Sequence, residues 1–584
     1  MPLCGSGSCG TEQRVHPWVM SMQEPSKSHK ARTAIRTFKT IADSLILQGS
    51  YTPSGKAGEK LAEALKMLSP EIYGSMTDPR IVELQGLEYV IDRMPCGIEQ
   101  CTKLILTAQE DFHDTAFTKI VPLKRRRTSY AVSETEMCFV ITRGLSEIYD
   151  ILTHITFLNI EAHKIYHQAC NRLEGTTSEW RELEKIVLEN RELEGGELDQ
   201  AIWNLSIILG RTYKETRDTY EYLDRNNERY QTNSGLFKII YTIGKRVIDE
   251  QEHKSNELSV YFTPSLREVI GQHKYATIWA KSLKERLLEL GFQDRPLHVI
   301  SANMHSIRNV FYGPGALKSA GLEFPSDLYQ MVKLLRDRED EVENYAENHG
   351  FYVHEDHSGS NIDVHIIDAS QIDESAMHPC LQVNVHLIKE LKPVIVVMDY
   401  AFGTQAFEVM DELLCPCHLA DQMISLNVES ISIMGKAGIL PGKKGDIMLA
   451  TAHVMEGTPH NYIVNNDLQI SDFEDGVTVF SGPMVTVLGT SLQNRDVLER
   501  FQTSNWKAIG LEMEGGHYQR AISAAIIQGH ITGDMKTRYA YYASDNPLIS
   551  GQTLASGPMG DEGIVPTYMI TKVILQKILN YSDE

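Results

Sequence analysis

The amino-acid sequence predicts an all-α N-terminal domain followed by an α/β domain, on three observations. From about Thr33 to Leu290 apolar residues recur at i, i+3 and i+4, the spacing of amphipathic helices. Gly291 then ends a helical pattern as a C′ glycine does. Beyond it, β-branched apolar runs alternate with helical patterns, as in α/β domains.

In chain order, residues 1–32 are rich in Gly, Ser and polar side chains and read as a flexible tail. Residues 33–290 read as the helical domain, for example "SEIYDILTHITFLNIEAHKIYHQACNRL" and "YATIWAKSLKERLLELG"; its role is not evident. "SEWRELEKIVLENRELEGGELDQA" carries charge around most of its surface and reads as a solvated helix. Residues 291–584 form the α/β domain. Its expected strands include "LHVISA", "IDVHIID", "PVIVVMD", "SISIMG", "DIMLATAHV", "GVTVFSG" and "YAYYAS". Helical patterns separate them, notably "PSDLYQMVKLLRDREDEVENYAENHG" and "GTQAFEVMDELL".

Composition excludes several classes. The 584 residues carry a net charge of −22, against general affinity for nucleic acid or an anionic membrane. No apolar run reaches bilayer-spanning length and "MPLCGSGSCGTEQ" lacks signal-peptide character, so a cytoplasmic location is expected. Nine cysteines suit a reduced compartment. Cys4/Cys9, Cys96/Cys101 and Cys415/Cys417 lack the spacing of a zinc site. The dense basic cluster "LKRRRTS" reads as an exposed loop, or as an effector site with phosphoacceptors Thr128 and Ser129.

Chemistry is expected in the loops at the carboxyl ends of strands. In "SIMGKAGILPGKKGDIMLA", Gly435, Ala437 and Gly438 read as a tight turn that either simply reverses the chain or cradles an anion beside Lys436. Gly403 and Thr404 open a helix whose first N–H groups would favour an anion, with the same alternative. In "YYASDNPLISG", Asp545 either caps the turn before Pro547 or is a desolvated proton donor. In "AIGLEMEGGHYQRAI" two glutamates, Glu512 and Glu514, flank Met513 at a strand's exit.

Taken in order, "GTQAFEVMDELL", "IMGKAGILPGKKGDIML", "EGTPHNY", "IGLEMEGG" and "ASDNP" resemble the purine nucleoside phosphorylase and nucleosidase superfamily, and within it the AMP nucleosidases. The resemblance spans roughly Leu297 to Leu579 and implies an α/β domain of nucleoside-phosphorylase type, a mixed central sheet flanked by helices. It implies that Glu514 binds the ribose 2′ and 3′ hydroxyls, that Met513 lies against sugar and base, and that Glu512 supports them. It implies that Asp545 is the general acid at purine N7, with Ser544 orienting it and Asn546 within reach. Lys436, with Gly435 and Gly438, would meet a nucleotide 5′-phosphate or inorganic phosphate. No metal or organic cofactor is implied, and a homo-oligomer is expected.

Three departures qualify the resemblance. Where hydrolytic relatives carry a water-activating glutamate, "LHVISANMHSIRNVFYG" has His305 and Arg308, a base and an anion clamp or simply surface and capping residues. Ile433 stands where hexameric phosphorylases place arginine. Gly515 and Gly516 replace the usual residues after E-M-E. The expected function is hydrolysis of the N-glycosidic bond of a purine nucleotide or nucleoside. Its alternatives are phosphate-dependent phosphorolysis and non-catalytic nucleotide sensing.

Overall fold

The computed structural model describes residues 26–580, apart from 109–111, 113, 125–126, 172–174, 420–421 and 550–559. A ten-stranded mixed sheet organises the C-terminal half. From one edge its order is Phe351–His354, Val364–Asp368, Val394–Met398, Leu297–Ser301, Val428–Ile439, Gly510–Glu512, Val479–Thr486, Ile447–Met455 and Asn461–Ile463. The Lys536–Asp545 strand pairs with both Val428–Ile439 and Ile447–Met455, so five strands close into a ring. All seven runs expected to be strands are strands. Their continuous apolar character follows from helices covering both faces, which leaves strands such as Val394–Met398 buried at every position. The "PSDLYQ" pattern breaks into two helices, Leu328–Leu335 and Glu339–Glu347.

The N-terminal half is not all-α. It contains a six-stranded mixed sheet in the order Ser50–Tyr51, Ser259–Phe262, Lys103–Thr107, Glu136–Val140, Thr128–Ala131, Thr118–Ile120. These strands have two to five residues and lie between long amphipathic helices. Over a window of 11–18 residues the helical period therefore masks their alternation. The helix Lys27–Gln48, capped by the Ser26 side chain accepting from the His29 N–H, takes in residues 27–32 that composition placed in the tail; residues 1–25 and Cys4/Cys9 lie outside the described residues.

The halves share apolar cores. Helix Lys274–Glu289 buries Trp279, Leu283 and Leu287 in the core of the α/β sheet, and Trp279 donates from Nε1 to the Ile362 carbonyl. Conversely, Val487, Leu511 and Met513 join the core built by the N-terminal helices. The "LKRRRTS" segment is not a plain exposed loop. Lys124 pairs with Asp92 at 2.6 Å, Arg127 is buried against Asp150, and fully buried Ser129 donates to the Ile120 carbonyl, which removes it as an accessible phosphoacceptor. Arg125 and Arg126 lie outside the described residues. No described helix is long and apolar enough to cross a membrane.

Candidate active site

Two parallel strands bring the first residues together. Lys436 of Val428–Ile439 stands opposite Tyr542 of Lys536–Asp545, and Gly438 stands opposite Asp545 after a register irregularity at Ala437/Gly438. Gly438 also pairs with Leu511 on its other side. Three adjacent strands thus place Lys436, Asp545 and the Glu512–Glu514 segment at one edge.

The glycine-bracketed segment around Lys436 is not a turn. It is the continuous end of a twelve-residue strand, because pairing with the Lys536–Asp545 strand along Gly435–Gly438, joined at Gly438 by Gly510–Glu512, outweighs the turn preference of isolated glycines. Gly438 serves close packing instead, since a Cβ there would lie 3.1 Å from Leu511 Cδ2. The chain reverses later, around Gly445 at φ +90°. Asn546 braces this reversal by donating to the carbonyls of Leu440 and Gly442.

Asp545 is 2% exposed. Its Oδ1 accepts from Ser544 Oγ at 2.6 Å, while Oδ2 has no partner among the described residues. Burial raises its pKa, opposed by the Ser544 hydrogen bond and by the positive charges of Lys436 and Lys444. The result is a carboxyl that holds its proton more tightly than ordinary aspartate and has one oxygen uncommitted. Lys436 is exposed.

The two glutamates of the E-M-E segment diverge. Glu512 is buried: Oε1 accepts from Thr486 Oγ1 at 2.5 Å and lies 3.2 Å from His453 Nδ1, while Oε2 accepts from the N–H groups of Glu514 and Gly515. Burial would raise its pKa, yet the His453 contact and these hydrogen bonds leave it lowered. Glu512 is therefore an ionised brace that caps the helix Gly515–Gln528. Glu514 is half-buried and turns elsewhere, with Oε1 3.5 Å from the Gly403 N–H. Met513 is buried in the core shared by the halves.

Gly515 and Gly516 have a spatial cause. A Cβ on Gly515 would sit 2.2 Å from Tyr541 Oη and 2.3 Å from His453 Cε1, and one on Gly516 would sit 2.4 Å from Thr486 Oγ1. The side chains that hold Glu512 occupy the room an alanine would need.

The Gly403 loop is pinned from the other half of the chain. Gly403 has φ +55°, and a Cβ there would lie 2.2 Å from Ser146 Oγ, which accepts from the Thr404 N–H at 3.1 Å. Ser146 lies in the first turn of helix Gly144–Ala169, and nothing in the sequence marked it. The leading N–H groups of Gly403 and Thr404 are thus already engaged.

Arg308 and His305 each have partners of their own. Arg308 is buried in an ion pair with Glu343 at 2.6 Å, with Glu339 at 3.8 Å, so its guanidinium is committed to protein carboxylates. His305 Nδ1 lies 3.1 Å from Tyr568 Oη beside a cavity of about 330 Å³ that is also lined by Tyr542, the register partner of Lys436. His460 is exposed; its side chain bonds to Thr458 and its carbonyl accepts from the Met455 N–H. One further carboxyl went unassigned in the sequence. Glu456, at the exit of Ile447–Met455, is 1% exposed, has Oε1 without a partner among the described residues, and is pushed up to about 7 by burial. Its signal was its place in "EGTPHNY", immediately after a strand. Among the described residues no group of three or more His, Cys, Asp or Glu side chains is arranged to hold a metal ion.

A model described as a family of unknown function (DUF6909) matches residues 59–321 and 324–580, nearly the whole chain. The chain belongs to this family. No curated protein matches it. Among solved structures, the chain is similar to the Campylobacter jejuni 5′-methylthioadenosine/S-adenosyl homocysteine nucleosidase at 11% identity, over 49% of this chain and 98% of that one, with a TM-score of 0.29. It is similar to uridine phosphorylase isoform 2 from Schistosoma mansoni at 13% identity, over 51% and 91%, with a TM-score of 0.28. It is also similar to futalosine hydrolase of Helicobacter pylori at 12% identity, over 49% and 98%, with a TM-score of 0.28.

Proposed function

We propose that this family member hydrolyses the N-glycosidic bond of a purine nucleotide or nucleoside and releases the free base, with AMP as the first substrate to test. The observation that carries the reading is Asp545: a buried carboxyl with a raised pKa, one oxygen fixed by Ser544 and the other without a partner among the described residues, at the exit of a strand paired with the one that carries Lys436. Such a group donates a proton to purine N7, so that the electron pair of the breaking C1′–N9 bond leaves on a neutral base. Glu514, divided from its neighbour Glu512 by the Gly403 contact, receives the ribose hydroxyls and offsets the positive charge that develops on the sugar. Met513 packs beneath, and Lys436 meets the 5′-phosphate.

The test is incubation with AMP, adenosine and inosine, with and without inorganic phosphate, followed by quantification of base and sugar product. Base and free ribose or ribose 5-phosphate without added phosphate support hydrolysis. A strict phosphate requirement with a 1-phosphorylated sugar replaces it by phosphorolysis. Saturable binding without base release leaves a nucleotide sensor.

A further inference from the structure

The seam between the two halves contains a cavity of about 270 Å³ that the proposed reaction does not use. It is walled by the start of helix Gln405–Leu414, the first turns of helix Gly515–Gln528 and residues from 141–145 and 266–275. Two buried polar atoms among its lining residues lack partners among the described residues: His517 Nδ1 and Thr404 Oγ1. His517 is 8% exposed, and burial lowers its pKa to about 4, so at neutral pH it presents an uncharged ring. Unmet polar atoms of this kind in a native interior call for a partner.

The other lining residues define that partner's chemistry. Leu145, Ile270 and Phe407 give an apolar wall. The exposed cations Lys274 and Arg520 also line the cavity; Arg520 is close enough to the Asp411 carboxyl to oppose the rise that burial gives its pKa, and lining His273 lies 3.7 Å from Asp411 and 3.5 Å from Glu412, which occupies those carboxylates. Arg520 lies over the Phe407 ring, its guanidinium carbon 4.1 Å from the ring centroid. Glu408 is the one lining carboxylate, and burial raises its pKa, weakening its opposition to an anion. In a chain of net charge −22, a cavity edged by two cations, Arg520 over the Phe407 ring and Lys274 over the Tyr275 ring, is a local exception. A cavity of about 150 Å³ already admits benzene, so this one has room for a one- or two-ring molecule.

We propose that this cavity is a second ligand site, distinct from the Asp545 site, which binds a small aromatic monoanion. The ring lies against Phe407 and Ile270, the charge is held by Lys274 and Arg520, and a polar edge meets His517 and Thr404. Thr404 directly follows Gly403, and His517 is three residues after Glu514. Occupancy therefore fixes the loop and the helix start that position Glu514.

The experiment is calorimetric titration of the full chain with 1-naphthoate and, as the neutral isostere, 1-naphthamide. Saturable binding of naphthoate at one site is expected, with naphthamide at least about ten-fold weaker. Arg520→Gln and Lys274→Gln, both at exposed positions, should each weaken naphthoate about ten-fold, and Ile270→Trp, which fills the cavity, should abolish binding while circular dichroism reports an intact fold. In hydrogen exchange, naphthoate should slow peptides covering 401–414 and 513–528. Absence of saturable binding, equal affinity for acid and amide, or binding unchanged in folded Ile270→Trp overturns the proposal. None of these readouts depends on base release, so failure of the catalytic reading would be seen separately.

Discussion

Replacing Asp545 by asparagine separates proton donation from shape. In the wild type, Oδ1 accepts from Ser544 at 2.6 Å and Oδ2 is buried without a partner. Asparagine keeps the acceptor toward Ser544 and the volume but carries no acidic proton at working pH. Loss of a general acid costs roughly 100-fold to 10,000-fold in rate, or about 2.7 to 5.5 kcal/mol of barrier. Base release from AMP, followed by chromatography, should fall by this factor while the affinity for AMP is largely kept. The wild-type rate should decline as pH rises through the raised Asp545 pKa, since only the protonated carboxyl donates. Stability provides a second reading that needs no substrate. Because the folded pKa exceeds the unfolded one, the folded state binds the extra proton between them, and wild-type stability contributed by this group is lost as pH rises through that window. The stability of Asp545→Asn relative to wild type should therefore climb by about 1.4 kcal/mol for each pH step of one across the window, then level off above the folded pKa. Urea titrations at several pH values measure it. Unchanged turnover removes Asp545 from the chemistry, and a stability difference flat with pH refutes the claim that its proton is held by burial.

Glu514→Gln should lower kcat more than affinity, because its charge matters most once the sugar is cationic; an equal effect on a 2′-deoxy substrate would count against hydroxyl recognition. Lys436→Ala should slow AMP cleavage by about ten-fold to a hundred-fold and adenosine cleavage little, while equal slowing of both with a phosphate requirement would assign the lysine to inorganic phosphate. Gly515→Ala, favourable in most helices, should here destabilise by about 1–3 kcal/mol, because its Cβ would meet Tyr541 Oη and His453. Tyr541→Phe removes a buried hydroxyl without a partner among the described residues and should recover part of that loss in the double mutant, whereas additive effects in urea denaturation would contradict the packing account.

The sequence by itself determined the seven strands quoted from it and the location of Asp545 and Glu514 at strand exits. Those features are local: a β-branched run is buried on both faces wherever it lies in such a sheet, and a carboxylate directly after it sits at the sheet's edge. The six-stranded sheet of the N-terminal half escaped because strands such as Lys103–Thr107 are short and pair with segments as distant as Ser259–Phe262. The resemblance already gave the two glutamates different roles, but only the tertiary structure shows which groups each one meets. Glu512 and Glu514 are two residues apart in one segment, and their difference comes from His453 and Thr486 meeting the first while Gly403 meets the second. The same holds for Lys436, whose glycine neighbours read as a turn but pair with the Lys536–Asp545 strand, Gly438 also pairing with Leu511. Ser146 was invisible, since a serine in a helix's first turn carries no sign of the loop it will pin 258 residues later. Periodicity records which face of an element is buried, but the partner a polar group meets across the fold is set by packing between segments far apart in the chain.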